Sequence, residues 1–347
     1  MASAITKLIC KHLVEEETSQ KSNLTSPQKG QPNRSLPIGS VVQCIVSASI
    51  KFAIQIEREM ANTGDKLLYE GTIVNTEDKC IVKLYNNDRD SGFKLWQLRL
   101  HYSEMIGYSD LVTKMYINYS DVSYKGTPLE EYIDKNKGVN KTTLMIQLLA
   151  QLYFLHEDEV LHNDIKPENI IVYQDYPYFI DFEACKRYAR YDQVDEICYD
   201  SDKRIIQSSS GTSAYNPPEK ERDKNYITPK SDVYSLGLVF AKMLGVALQT
   251  KKYIDFELLK KTNDHTICNL IGKMVLHDIK LRPSVQQCLE VLGISKDEFY
   301  SYGAPTIDKQ IPNITRQEFE ELLMSKKRER TELMVESQPE QKKVKSD

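Results

Sequence analysis

The segment that most restricts this chain is Leu161-His162-Asn163-Asp164-Ile165-Lys166-Pro167-Glu168-Asn169-Ile170-Ile171-Val172. Twelve residues after Asn169 comes Asp181, in the run Phe179-Ile180-Asp181-Phe182. An aspartate, an asparagine five positions later and a second aspartate beyond a short hairpin can converge on one face. Phosphoryl transfer needs such a set: one carboxylate to orient and deprotonate a hydroxyl, and oxygen ligands for Mg²⁺. Upstream, Cys80-Ile81-Val82-Lys83 sets a lysine at the end of an apolar strand. A buried lysine needs an anionic partner, and the phosphates of ATP would serve.

Around these residues the periodicity changes once. Lys51 to Met60, Lys66 to Val74 and Lys79 to Tyr85 read as strands, separated by the turns Asn62-Thr63-Gly64-Asp65 and Asn75-Thr76-Glu77-Asp78. Residues 93–105 have helical spacing, and two more strands are expected near 111–118 and 121–125. After Pro128 the pattern turns helical. Lys141 to His156 carries Leu144, Leu148 and Leu152 at four-residue steps, and residues 231–246, 255–262, 265–276 and 284–292 follow suit. This predicts an α+β fold of two lobes around a cleft, a common place for a ligand. The expected boundaries are an N-terminal extension over 1–40, a catalytic domain over 41–294 dividing near 126, and a polar tail over 295–347. The extension opens on a short amphipathic helix over 1–14 and continues as a Ser-, Gln- and Pro-rich linker.

Composition excludes several classes. With 46 Lys+Arg against 50 Asp+Glu, the net charge of −4 supplies no whole-protein field for nucleic acid or an anionic membrane. No apolar run reaches the ~18–20 residues of a transmembrane helix. The 7 cysteines form no C-x-x-C pair, so neither a zinc site nor a disulfide framework is expected, and reduced thiols in cytoplasm or nucleus are. The tail's KKRER and QKKVK runs fit nuclear import and a solvated charged tail equally well.

At its motifs the sequence resembles the eukaryotic protein kinase family, over roughly residues 50–292. His162 to Asn169 is similar to the catalytic loop H-R-D-x-K-x-x-N. The resemblance implies a bilobal fold with a small antiparallel-sheet N-lobe and a mainly helical C-lobe, an ATP and Mg²⁺ requirement, and protein substrates. Residue by residue, it implies Asp164 as catalytic base and Lys166 on the transferring phosphoryl group. Asn169 and Asp181, the latter at the place of the D-F-G aspartate, become Mg²⁺ ligands. Lys83 would pair with the α- and β-phosphates, with Glu104 as its helix partner, and Gly64 would stand for the glycine-rich loop. Gly211 to Glu219 looks like the end of an activation segment, Asp232 like the aspartate bracing the catalytic loop, and Arg282 like the late arginine that pairs with Glu219. Lys166 favours Ser/Thr over Tyr acceptors.

Three departures are informative. The nucleotide loop keeps only Gly64. The catalytic loop reads H-N-D, and Asn163 cannot receive a phosphate as an arginine would. The metal motif reads Asp181-Phe182-Glu183, without its glycine. H-N-D and I-D-F-E also occur in small-molecule kinases of the choline and aminoglycoside type, but these generally lack counterparts of Glu219, Asp232 and Arg282. A third alternative is a pseudokinase that binds ATP or partners without turnover. His162 reads as a packed structural residue. Ser208, Ser209, Ser210 and Thr212 read as solvated loop. Control of the segment by phosphorylation is not expected, its opposite charges (Lys186, Arg187 and Arg190 against Asp192, Asp195 and Glu196) being available to order it.

Overall fold

The computed structural model describes residues 36, 38–45, 51–63, 66–85, 109–113, 116–157, 159–192, 197–199, 203–206, 213–221, 226–248, 264–303 and 321. They divide into two compact units, the described residues of 36–125 with 321 and those of 126–303. The helices expected over 1–14, 93–105 and 255–262 lie outside the described residues, as do Gly64, Glu104, Ser208 to Ser210, Thr212 and the basic runs of the tail.

The first unit is an antiparallel sheet that closes on itself. Its strands are β1 (Val41–Ile45), β2 (Lys51–Asn62), β3 (Lys66–Ile73), β4 (Lys79–Tyr85), β5 (Ser109–Thr113) and β6 (Tyr116–Tyr124). The order is β1-β2-β3-β4-β6-β5, and β1 also pairs with β5. Alternation drives the closure: on β4, Cys80, Val82 and Leu84 are buried while Ile81 and Lys83, on the other face, are half-buried. The expected meander is present as β2-β3-β4. Two details differ. β1 joins the sheet from a stretch with no strand expected. The later turn falls between Thr113 and Tyr116, so Asn118, Ser120 and Asp121 lie within β6. Those polar residues look like a turn in sequence, but backbone pairing with β4 and β5 overrides that local preference.

The second unit is mainly helical. β7 (Thr127–Pro128), α1 (Leu129–Lys135) and α2 (Lys141–Glu157) lead to β8 (Val160–Leu161) and the hairpin β9 (Ile170–Tyr173) and β10 (Tyr176–Phe179). Three short strands follow, β11 (Lys186–Arg187), β12 (Arg190–Asp192) and β13 (Ile197–Tyr199). Among the described residues five helices follow: α3 (Pro218–Glu221), α4 (Pro229–Met243), α5 (His265–Met274), α6 (Val285–Val291) and α7 (Phe299–Gly303). Helix α4 is the axis of this core. Thr228 caps it, accepting from Lys230 N–H, while Ser231 Oγ accepts from the Thr228 N–H, and Pro229 sits in the first turn. It is apolar nearly all round, and Val233, Leu236, Leu238, Val239 and Phe240 are fully buried. Gly237 lets α5 approach: a Cβ there would stand 2.8 Å from Cβ of Met274. Packing continues past residue 294, where Phe299 of α7 is buried and meets Tyr153 edge-on at 4.8 Å.

Among the described residues no helix is long and apolar enough to cross a membrane. Cys80, Cys185, Cys198, Cys268 and Cys288 are free thiols.

Candidate active site

The loop between β8 and β9 carries the polar cluster, and hydrogen bonds fix its shape. Asp164 Oδ2 accepts from Lys166 Nζ at 2.8 Å and from Asn169 Nδ2 at 2.9 Å. The same Asn169 amide donates to the Asp164 carbonyl at 2.8 Å. Two residues separated in sequence, Lys166 and Asn169, thus converge on one carboxylate. With the Asn169 Nδ2 spent on Asp164, its Oδ1 is the remaining group of the amide, an oxygen of the kind Mg²⁺ takes.

Asp181 arrives by the β9–β10 hairpin. Ile170 pairs with Phe179, and Ile180 N–H donates to the Asn169 carbonyl at 2.9 Å, which sets Asp181 beside Asn169 along the backbone. Asp181 is left-handed, with φ 62° and ψ 61°, and leads into a 3₁₀ turn over Phe182–Ala184. Aspartate is among the few residues that tolerate this region. Glu183 lies inside that ordinary helical turn, so the conformation seen here does not need a glycine at 183.

Beneath the loop, Asp232 of α4 accepts from His162 N–H and Asn163 N–H, both at 2.8 Å, and contacts His156 Nε2 at 3.1 Å. Burial pushes the Asp232 carboxyl up, but the His156 side chain and the loop's N–H donors outweigh it and hold it below the usual carboxylate range. His162 is fully buried, with ring centroids 5.3 Å from Phe179 and 5.0 Å from Phe182. Burial pushes its pKa down against the pull of Asp232, Asp164 and Asp181. Its ring packs against the two phenylalanines, as expected of a structural residue.

Glu219 and Arg282 meet as a forked ion pair, Nη1 to Oε1 and Nη2 to Oε2, each 2.7 Å. Arg282 is 1% and Glu219 5% exposed. The spare donors are satisfied: Nε goes to the Leu276 carbonyl at 2.6 Å, Ser231 Oγ donates to Glu219 Oε1 at 2.7 Å, and the guanidinium lies 4.7 Å from the Tyr234 ring centre.

Lys83 lies in the other unit, within β4 rather than at its end, its backbone opposite Leu68 of β3 and Asp121 of β6. Among the described residues no cluster of three or more His, Cys, Asp or Glu forms a metal site by itself. A pair such as Asn169 and Asp181 fits a metal that completes its shell with substrate phosphates and water.

One residue escaped the sequence reading. Lys220, 6% exposed, donates from Nζ to the carbonyl and to Oδ1 of Asn163, at 2.8 and 2.7 Å. Its only signal was position, next to Glu219 in Pro217-Pro218-Glu219-Lys220. The described part of the preceding segment is held by strand pairing and apolar packing, while the side chains of Arg190 and Asp192 lie outside the described ones. β11 pairs with β8 and β12 with β13, while Leu161, Tyr188, Cys198, Ile206 and Ile227 bury a small apolar cluster. Asp195 and Glu196 lie outside the described residues.

The protein kinase domain model matches residues 38–292. A relative from Acanthamoeba polyphaga mimivirus, carrying a serine/threonine-protein kinase name, is 23% identical over 267 residues, 69% of this chain and 92% of its own length. A leucine-rich repeat receptor-like serine/threonine-protein kinase name from Arabidopsis thaliana belongs to a relative 26% identical over 246 residues. The dual specificity protein kinase zak2 of Dictyostelium discoideum is 36% identical over 121 residues. This chain spans only 25% and 18% of those last two proteins. The chain therefore belongs to the protein kinase domain family, and its α+β fold is the one that family implies.

Proposed function

We propose that this chain transfers the γ-phosphoryl group of ATP, with Mg²⁺, to serine and threonine hydroxyls of protein substrates. The observation that carries the reading is the convergence of Lys166 and Asn169 on the Asp164 carboxylate. In this reading Asp164 holds the acceptor hydroxyl and takes its proton as the oxygen attacks the γ-phosphorus. Lys166, already 2.8 Å from Asp164, lends its positive charge to the transferring group. Asn169 and Asp181 hold Mg²⁺, which neutralises charge on the phosphates when bound. Lys83 pairs with the α- and β-phosphates, Glu104 steadies Lys83, and Gly64 supplies the turn over the nucleotide. Lys166 and the names of the relatives support Ser/Thr acceptors. The Glu219–Arg282 pair and Asp232 support a protein rather than a small-molecule acceptor. The free thiols suit a reducing compartment, cytoplasm or nucleus.

Mg²⁺-dependent nucleotide binding tests the metal site. Calorimetry with ATP should show Asp181→Ala losing at least about tenfold in affinity with Mg²⁺ present, and little in EDTA, because the lost ligand acts through the metal. Undiminished Mg·ATP affinity in that variant would place the metal elsewhere.

A further inference from the structure

A lysine buried as deeply as Lys220 is costly unless its donors are satisfied. Here its Nζ donates to both oxygens of Asn163, the carbonyl and Oδ1. Asn163 is also held at its N–H by Asp232 and at Nδ2, which donates to the Ala184 carbonyl at 2.8 Å. Its backbone is left-handed, φ 66°, a region that asparagine, like aspartate, is among the few residues to adopt readily. The next residue is Asp164. Lys220 belongs to α3, which follows the activation segment directly and is anchored through Glu219 to Arg282. One ammonium therefore ties the end of that segment to the catalytic loop. Burial pushes the Lys220 pKa down, opposed by Asp232, Asp164 and Glu219.

We infer that Lys220 is a positioning residue for phosphoryl transfer: by clamping both oxygens of Asn163 it fixes the backbone that presents Asp164, and it makes this tie without a phosphate. The inference rests on the proposed kinase activity. The cation sits on the segment side and the acceptors on the loop side. A phosphate on the segment would meet at position 163 an amide already engaged by a cation, where the family's arrangement needs an arginine. The described part of the segment is held by the β12–β13 ladder and its apolar cluster, which need no added charge either.

The test compares wild type with Lys220→Met, nearly isosteric but without donors, and with Asn163→Gly, which keeps the left-handed backbone and loses Oδ1. Leu289→Ala, in the α6 core, controls for lowered stability. Assays run well below every melting temperature. Both clamp variants should lose about 10–100-fold in kcat with KM for ATP within twofold, because a small misplacement of a reacting group has that scale of effect. Leu289→Ala should keep wild-type kcat. Hydrogen exchange over 160–166 should speed up at least tenfold in Lys220→Met while 233–241 stays unchanged, and phosphatase treatment of wild type should leave kcat intact. The inference is overturned if the variants keep kcat within twofold and the loop's exchange does not change. It is overturned equally if phosphatase silences the wild type and rephosphorylation restores it. Should the wild type bind Mg·ATP without transferring phosphate, the kinase reading fails, and the exchange comparison alone still decides whether Lys220 holds the loop. Should Lys220→Met not fold, Asn163→Gly decides by the same kcat and exchange criteria.

Discussion

Asp164→Asn should lower kcat by about 10²–10⁴-fold, the usual contribution of a positioned acid–base group, or roughly 3–5 kcal/mol of barrier. The change is isosteric, and Asp164 lies on a loop braced from below by Asp232 rather than by its own carboxylate. The fold should therefore survive. The new amide keeps one oxygen for Lys166 or Asn169 but has no basic site for the acceptor's proton. KM for ATP should move little, since in the proposed mechanism Asp164 acts on the hydroxyl and not on the nucleotide. A variant with near wild-type turnover would take the base's role away from Asp164.

The second large effect is on stability. Arg282→Met strands the Glu219 carboxylate in a site where both side chains are almost wholly buried. Breaking such a pair on one side costs about 3–5 kcal/mol, whereas removing both charges often restores much of the loss. For a domain of this size that corresponds to a drop of roughly 6–20 °C in Tm. Glu219→Gln alone should also destabilise, since it leaves the guanidinium with weakened acceptors. The double variant Glu219→Gln/Arg282→Met should be more stable than the sum of the single losses implies, and the cycle should show coupling above about 0.5 kcal/mol. Strictly additive losses would contradict the contact.

The parts legible in the sequence are those written into contiguous residues. The strands β2, β3 and β4 and the four-residue steps of α2 are local, and the structure has them within a few residues, while α4 starts at its Thr228 cap slightly before the residue 231 expected. The Asp164–Asn169 spacing was legible for the same reason, since a short loop forces the two side chains together. Asp232 beneath the loop and the Glu219–Arg282 pair join distant residues, and only resemblance to a family made them readable. Lys220 had neither aid. Its contact with Asn163 spans 57 positions, and nothing in a lone lysine after a glutamate says that its ammonium is buried. The closure of the sheet by β1 was hidden likewise, because a short strand needs its partners to be recognised. The apolar cluster collects Leu161, Tyr188, Cys198, Ile206 and Ile227 from five separate stretches, so the charges between them drew attention first.

The central claim is that this site moves a phosphoryl group from ATP to a protein hydroxyl. The most direct measurement is transfer of label from γ-³²P-ATP with Mg²⁺, offered in parallel to a mixed protein and peptide acceptor pool and to choline and aminoglycosides, with acid hydrolysis to identify the labelled residue and Asp164→Asn as control. The account predicts phosphoserine and phosphothreonine in the protein pool, no labelled small molecule, and loss of the signal in the control. Label in the small-molecule acceptors instead, or equal label in wild type and Asp164→Asn, would contradict it.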